Sequence, residues 1–146
     1  MEDIIQEKIS ADHLLYVSLK YTKTCDVIIN LIIRWKTMIE RMLDEVLKQA
    51  KKKKKISSVP GNPATKIEVT RKIFKKDKNV QEVMDTYEMF RKIEQLRKER
   101  SGEFRKNVTL KVFYRGEEIN INLDKLKVYA EMLEKFISNM SQFLLK

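Results

Sequence analysis

The stretch Cys25-Asp-Val-Ile-Ile-Asn-Leu-Ile-Ile-Arg-Trp-Lys-Thr-Met-Ile-Glu-Arg-Met-Leu-Asp-Glu-Val-Leu-Lys-Gln-Ala-Lys-Lys-Lys53 decides the fold. Ile28, Ile32, Trp35, Ile39, Met42 and Val46 step alternately by four and three, the spacing of one helix face. Asp26, Asn30, Arg34, Thr37, Arg41, Asp44 and Lys48 mark the opposite face. This reads as one long helix from Cys25 to about Lys53. Its first two turns are apolar almost all round, so the helix is expected to be central or shared with a second subunit. Thr22 and Thr24, just upstream, can cap its free amides.

Working outward, a first helix is expected from about Asp3 to Tyr21, with Ile5, Ile9, Tyr16 and Leu19 near its buried face. Ser10 or Asp12 could cap a restart inside it. The lysine run Lys51–Lys55 ends the long helix, where cations suit the negative end of the dipole. Both prolines follow, so about 51–65 reads as a flexible basic loop. Thr65 to Lys76 forms a short basic helix around Ile67, Ile73 and Phe74. Asn79 with Glu82 resembles a capping box opening another helix, with Val83, Tyr87 and Phe90 inward and an end near Ser101-Gly102.

Then the pattern changes. Val108–Phe113 alternates, Tyr114-Arg115-Gly116-Glu117 can turn, and Ile119–Leu123 alternates back, a β-hairpin signature over about 108–122. Its Val108, Leu110, Val112, Ile119 and Ile121 face must lie on helices, since a lone hairpin is marginal. Leu126, Tyr129, Leu133, Phe136, Met140 and Phe143 stripe a final helix capped by Asn122 or Asp124. The expected fold class is mainly α: an antiparallel bundle of four to five helices with one β-hairpin between the last two. The expected organisation is a single domain over 1–146, and surplus apolar helix surface suggests a homodimer.

The chain carries 31 Lys/Arg against 21 Asp/Glu, a net of +10. Between Lys48 and Arg115 lie 21 basic and 8 acidic residues, so the surplus sits in the middle of the sequence. Lys, Glu and Ile are abundant and Gly scarce, a thermophile-like composition. Met1-Glu2-Asp3 opens acidic, and the apolar run Val27–Ile33 is too short to span a bilayer, so a cytoplasmic protein without a membrane partner is expected.

Several chemistries lack their residues. One cysteine (Cys25) and one histidine (His13) cannot build an intramolecular disulfide, a multi-cysteine zinc site or a Glu-x-x-His di-iron site. No nucleophile motif surrounds His13, and no glycine-rich phosphate loop exists. No metal, cofactor or catalytic residue is expected, and Cys25 reads as a small core hydrophobe.

The basic elements remain: Lys51, Lys52 and Lys53; Arg71 and Lys75; and Arg91, Arg97, Arg100, Arg105 and Lys106. Arginine forks suit phosphate, and Phe104 and Tyr114 offer faces for bases. These twelve residues form the candidate nucleic-acid-binding surface, for RNA or single strands. The competing reading is a solvated face, with Glu88 pairing Arg91 and Lys92, and Glu94 pairing Arg97 and Lys98, at helical spacing. Arg100–Asn107 is the sharpest local candidate, because it packs cations, an aromatic and a glycine at a junction between elements.

The helical bundle, the basic surface and this junction resemble the HEPN superfamily, over about residues 5–107. Many members cleave RNA with an arginine followed, after four to six residues, by a histidine. Arg100 matches, and Asn107 stands where the histidine would be. The resemblance therefore implies a binding-only relative rather than a metal-independent ribonuclease, which would need Arg100 with Asn107 or a shared His13. The chain is also similar to the small helical subunits of CRISPR effector complexes, which pack along a guide RNA. A protein–protein adaptor is the third functional class.

Overall fold

The computed structural model describes residues Met1–Lys146. In chain order it contains α1 (Glu2–His13), a π-helical turn (Leu14–Ser18), α2 (Leu19–Tyr21), α3 (Cys25–Lys52), α4 (Pro63–Ile73) and α5 (Lys78–Phe90). There follow β1 (Lys98–Ser101), β2 (Thr109–Tyr114), β3 (Glu117–Ile121) and α6 (Leu123–Leu145). α1, the π turn and α2 run on as one rod, giving five helices beside a small antiparallel sheet of order β1-β2-β3. The fold is mainly α, as the apolar spacing requires.

α3 is the axis. Ile28, Ile32, Trp35, Ile39, Met42 and Val46 are all buried, and so are Cys25, Leu31, Met38, Leu43, Leu47 and Ala50. Most of this apolar surface is covered within the chain by the first rod, α4, α5, α6 and β2, while Val27, Ile29 and Ile33 near the start of α3 stay half-buried. Trp35 locks three helices together. Its ring lies 6.1 Å from Phe90 of α5 and 6.2 Å from Tyr129 of α6, and those two meet edge-on at 5.3 Å. Such offset and edge contacts add to area burial because the electron-poor ring edge meets an electron-rich face. Tyr87 of α5 donates its hydroxyl to Glu40 of α3 at 2.9 Å, giving the buried ring a polar partner.

The hairpin closes where the sequence places it. Leu110 pairs with Ile121 and Val112 with Ile119, while Arg115 (φ 51°) and Gly116 (φ 77°) form the two-residue turn between Tyr114 and Glu117. Positive φ at both central positions matches the right-handed twist of the strands. Asn122 caps α6 by accepting from the Lys125 amide at 2.8 Å.

Four expectations need correction. α5 ends at Phe90, not near Ser101, and Lys98–Ser101 joins the hairpin as a third strand. Lys-Glu-Arg-Ser has helix-favouring composition, but pairing with β2 covers an otherwise open sheet edge, and tertiary context overrides local preference. The Lys98 ammonium gathers the carbonyls of Ile93, Glu94 and Leu96 at 2.8–3.2 Å, fixing the turn that replaces the helix. α5 is capped by Asp77, which accepts from the Val80 amide at 3.1 Å. Asn79 instead sits buried, donating to the Met132 carbonyl at 3.0 Å.

The loop after α3 is shorter than 51–65. α3 continues through Lys52, and Pro63 opens α4, with Asn62 as cap. Pro is suited to this first helical position, where its missing N–H leaves no bond unmade. Finally, the first rod buries Ile4, Glu7, Ala11, Leu15 and Leu19, leaving Ile5, Ile9 and Tyr16 exposed. Steps of four drift off one face of an ideal α-helix, and the wider π turn absorbs that drift. Glu7 is tolerated in this interface because Arg41 and Arg34 of α3 approach it to 3.2 and 3.6 Å.

The swapped face gives a direct test. Ile4 is 1% exposed and Ile9 is 55%. Ile4→Ala should cost about 2–5 kcal/mol in denaturant unfolding, and Ile9→Ala no more than about 0.5 kcal/mol.

Candidate nucleic-acid interface

The β1–β2 loop is held in place by the start of α3. Thr24 accepts from the Val27 amide at 3.4 Å, and the Glu103 carboxylate accepts from the Cys25 amide at 3.2 Å. A helix start carries unpaired amides and a partial positive charge, so a carboxylate seated there is stabilising. One residue on, the Phe104 amide donates to the Lys23 carbonyl at 2.6 Å. Gly102 makes the loop tight. Its φ is +64°, and a Cβ there would stand 2.7 Å from the Asn107 carbonyl oxygen. Docked on both sides, the loop leaves Phe104, Arg105 and Lys106 outward.

Beside it opens a cleft of about 680 Å³ between the first rod, the loop and the start of α6. Leu15, Tyr16, Leu19 and Leu123 supply its apolar lining, and Lys20, Lys23, Lys106 and Lys127 its charge, with Asp124 the single acid. None of these four lysines, nor Arg105, has a carboxylate within 4.0 Å. Three aromatic side chains are exposed in this protein: Tyr21 at 78%, Phe104 at 76% and Tyr16 at 58%. All three belong to this end of the molecule, on the rod's last turns and the loop it holds.

The twelve residues singled out in the sequence do not form one surface. Lys106 lines the cleft, and Phe104 and Arg105 precede it on the same exposed loop, which follows Arg100 of β1. The Arg100 guanidinium is engaged by Asp26 in the first turn of α3 at 2.7 Å, and that carboxylate holds it above its usual pKa. Asn107 packs its backbone and side-chain oxygens on Gly102. Lys51, Lys52 and Lys53 lie at the far end of α3, which rises about 40 Å over its 28 residues. Lys75 is at that far end too, in the turn between α4 and α5.

The remainder flank the body and are largely neutralised. Arg71 bonds Asp85 at 2.7 Å, and Arg97 lies 3.5 Å from Glu99 and 4.6 Å over the Phe113 ring. Tyr114 is half-buried between Lys92 and Arg115, with its hydroxyl unpartnered. Arg91 sits half-buried at the end of α5. Glu88 pairs with Arg71 and Arg115 rather than with Arg91 and Lys92, because the helix that would present those two ends at Phe90. Lys20, Lys23, Lys127, Tyr16 and Tyr21 were missed by the sequence reading. The signal was Tyr-x-x-x-Lys-Tyr-x-Lys before the helix break, hidden because residues 1–47 are net acidic as a whole.

His13 is exposed, its Nδ1 3.5 Å from the Ser18 hydroxyl. Cys25 is buried, with Sγ 3.3 Å from the Thr109 carbonyl. Burial, and then the neighbouring Glu103 carboxylate, push its thiol up to about 12. The thiolate is the reactive form, so the arrangement keeps this sulfur inert. Comparisons with protein-family models, with curated proteins and with solved structures find no match to this chain.

Two outcomes follow from the loop geometry. Gly102→Ala should destabilise the fold by more than about 1–3 kcal/mol, since left-handed strain adds to a backbone clash. In the native protein at pH 8, Cys25 should react with a disulfide reagent only as fast as the chain unfolds. Prompt labelling without denaturant would contradict the buried, neutral thiol. The thiol's stabilising preference for the proton is complete below its ordinary value of 9.0 and is lost as pH rises toward about 12.

Proposed function

We propose that this protein binds single-stranded nucleic acid, RNA in particular, without cleaving it, through the cleft and loop at the start of α3. The supporting observation is the coincidence of all three exposed aromatic rings with five unneutralised cations: Lys20, Lys23, Arg105, Lys106 and Lys127. The two features do different work. Every base has a π-face, and stacking on a ring contributes about 1–3 kcal/mol whatever the base. The cations bind phosphate and release condensed counterions. Duplexes hide their base faces, so rings without base-edge donors favour unpaired strands.

Phe104 is the residue on which this reading turns. A largely exposed phenyl group at φ +66° gains little from packing and sits in backbone space that disfavours bulky side chains. A ligand face gives it a role. Arg105 and Lys106 follow it in the loop and the Lys23 carbonyl accepts from its amide, so these three would be the phosphate contacts, and Tyr16 with Lys20 and Lys127 would extend the track along the cleft. The Arg100–Asp26 ion pair serves instead to hold β1 against α3.

Fluorescence anisotropy with a short unstructured RNA tests this. Phe104→Ala should weaken binding about 5- to 150-fold, the range for unstacking one base. Lys23→Ala with Lys106→Ala should reduce the slope of log K against log salt by about 1.4, near 0.7 for each phosphate left without its cation. Unchanged affinity and slope in both variants would reject the site. Shortening of the RNA on incubation would reject the non-enzymatic reading.

A further inference from the structure

A second charged region lies at the opposite end of α3. There α3, α4 and α6 finish and α5 begins, bringing Lys51–Lys55 together with Lys75, Lys76 and Lys78. The contacts that join them are specific. The Lys53 ammonium donates to the Phe143 carbonyl at 3.1 Å and lies 4.3 Å over its ring, and that ring meets Phe74 edge-on at 5.1 Å. Lys135 of α6 lines the same open hollow, about 710 Å³, as Lys75, Lys76 and Lys78.

None of these nine lysines has a carboxylate within 4.0 Å. By contrast Lys66, Arg71, Lys111 and Arg115 on the flanks all do, while Lys72 beside Lys55 is paired with Glu68 of its own helix. Helix dipoles do not absorb the excess. Three C-terminal ends and one N-terminal end leave about one unit of negative charge in total, far below nine cations. A fold that pairs those flank cations yet gathers nine unpaired ones toward one end carries a self-repulsion there that a polyanion would relieve.

The chemistry of this end differs from that of the cleft. Its cations are all lysine, compact hydrated point charges suited to phosphate oxygens, and the one acid lining the hollow, Asp77, is turned to the Val80 amide as the α5 cap. Its aromatic rings, Phe74 and Phe143, pack against each other and offer no stacking platform. Such a surface reads a phosphate backbone and is indifferent to whether bases are paired.

We infer that this lysine pole is a second nucleic-acid contact, one that accepts duplex as readily as single strands. The protein would then tether two nucleic-acid segments about 40 Å apart, the rise of α3. The bridging half of this inference rests on the cleft reading above, and the duplex half stands alone.

The experiment uses the full chain with two probes, a 20-base-pair DNA duplex and a 12-nucleotide unstructured RNA. The pole variant carries Lys51→Ala, Lys52→Ala, Lys75→Ala and Lys76→Ala, all exposed positions, and its thermal melt should be no lower than the parent's. Its duplex salt slope should fall by about 2–4, near 0.9 for each phosphate bound. Restoring charge with Arg at the same four positions should restore the slope. Phe104→Ala should leave duplex binding within about twofold. Immobilised duplex should capture labelled RNA through the parent protein and through neither variant.

An unchanged duplex slope in the pole variant would overturn the inference, as would duplex binding abolished equally in Phe104→Ala. Binding of the parent to vesicles of mixed phosphatidylcholine and phosphatidylserine without binding to duplex would overturn it in favour of a lipid surface. If duplex binding behaves as expected and only RNA capture fails, it is the cleft reading that falls.

Discussion

The rest of this structure depends on burying α3. A helix with a continuous apolar face, apolar almost all round in its first two turns, cannot remain in water, and it is too long for any single neighbour to cover. Five elements therefore surround it. The Trp35–Phe90–Tyr129 cluster fixes how two of them cross it, because edge and offset ring contacts tolerate little sliding. The hairpin contributes Leu110, Val112 and Ile121 to the same core, which is why a sheet with so few strands is stable here.

Burying a helix along its length leaves its two ends as the difficult places. At the start, the first amides find Thr24 locally and Glu103 from 78 residues away. That distant carboxylate is what anchors the β1–β2 loop, so satisfying a helix terminus and building the cleft are one event. At the finish, Lys54 takes a left-handed conformation (φ 60°) and the Lys55 amide returns to the Ala50 carbonyl at 2.9 Å. That closure turns the chain away and leaves five lysines around the negative end of the dipole.

The same geometry sorts the charge. Along the flanks, cations on one helix meet acids on the next, as Lys66 meets Asp44 and Arg71 meets Asp85. Such exposed pairs contribute little to stability, yet they cancel field. At the two ends no carboxylate comes within 4.0 Å of the cleft cations or the pole lysines, and the field survives. A middle segment that is strongly basic in sequence is thus divided between a largely paired waist and two basic ends, one with exposed rings and one without.

The amino-acid sequence alone determined α3, α6 and the hairpin, since each is written in local terms. Threonine or asparagine caps, alternation by three and four, and an Arg-Gly turn flanked by alternating strands need no partner to be read. Tertiary structure decided what depends on which neighbour arrives. Lys98–Ser101 became a strand because a sheet edge was open. Ala11 and Glu7 were buried in place of Ile5 and Ile9 because a π turn rotated the rod and two arginines waited on α3. Tyr16, Lys20 and Lys23 came to share a cleft with Lys106 because Glu103 reached a helix terminus. Periodicity reports which faces are apolar, but only packing chooses among faces of similar apolarity and brings residues about 80 positions apart into one cleft.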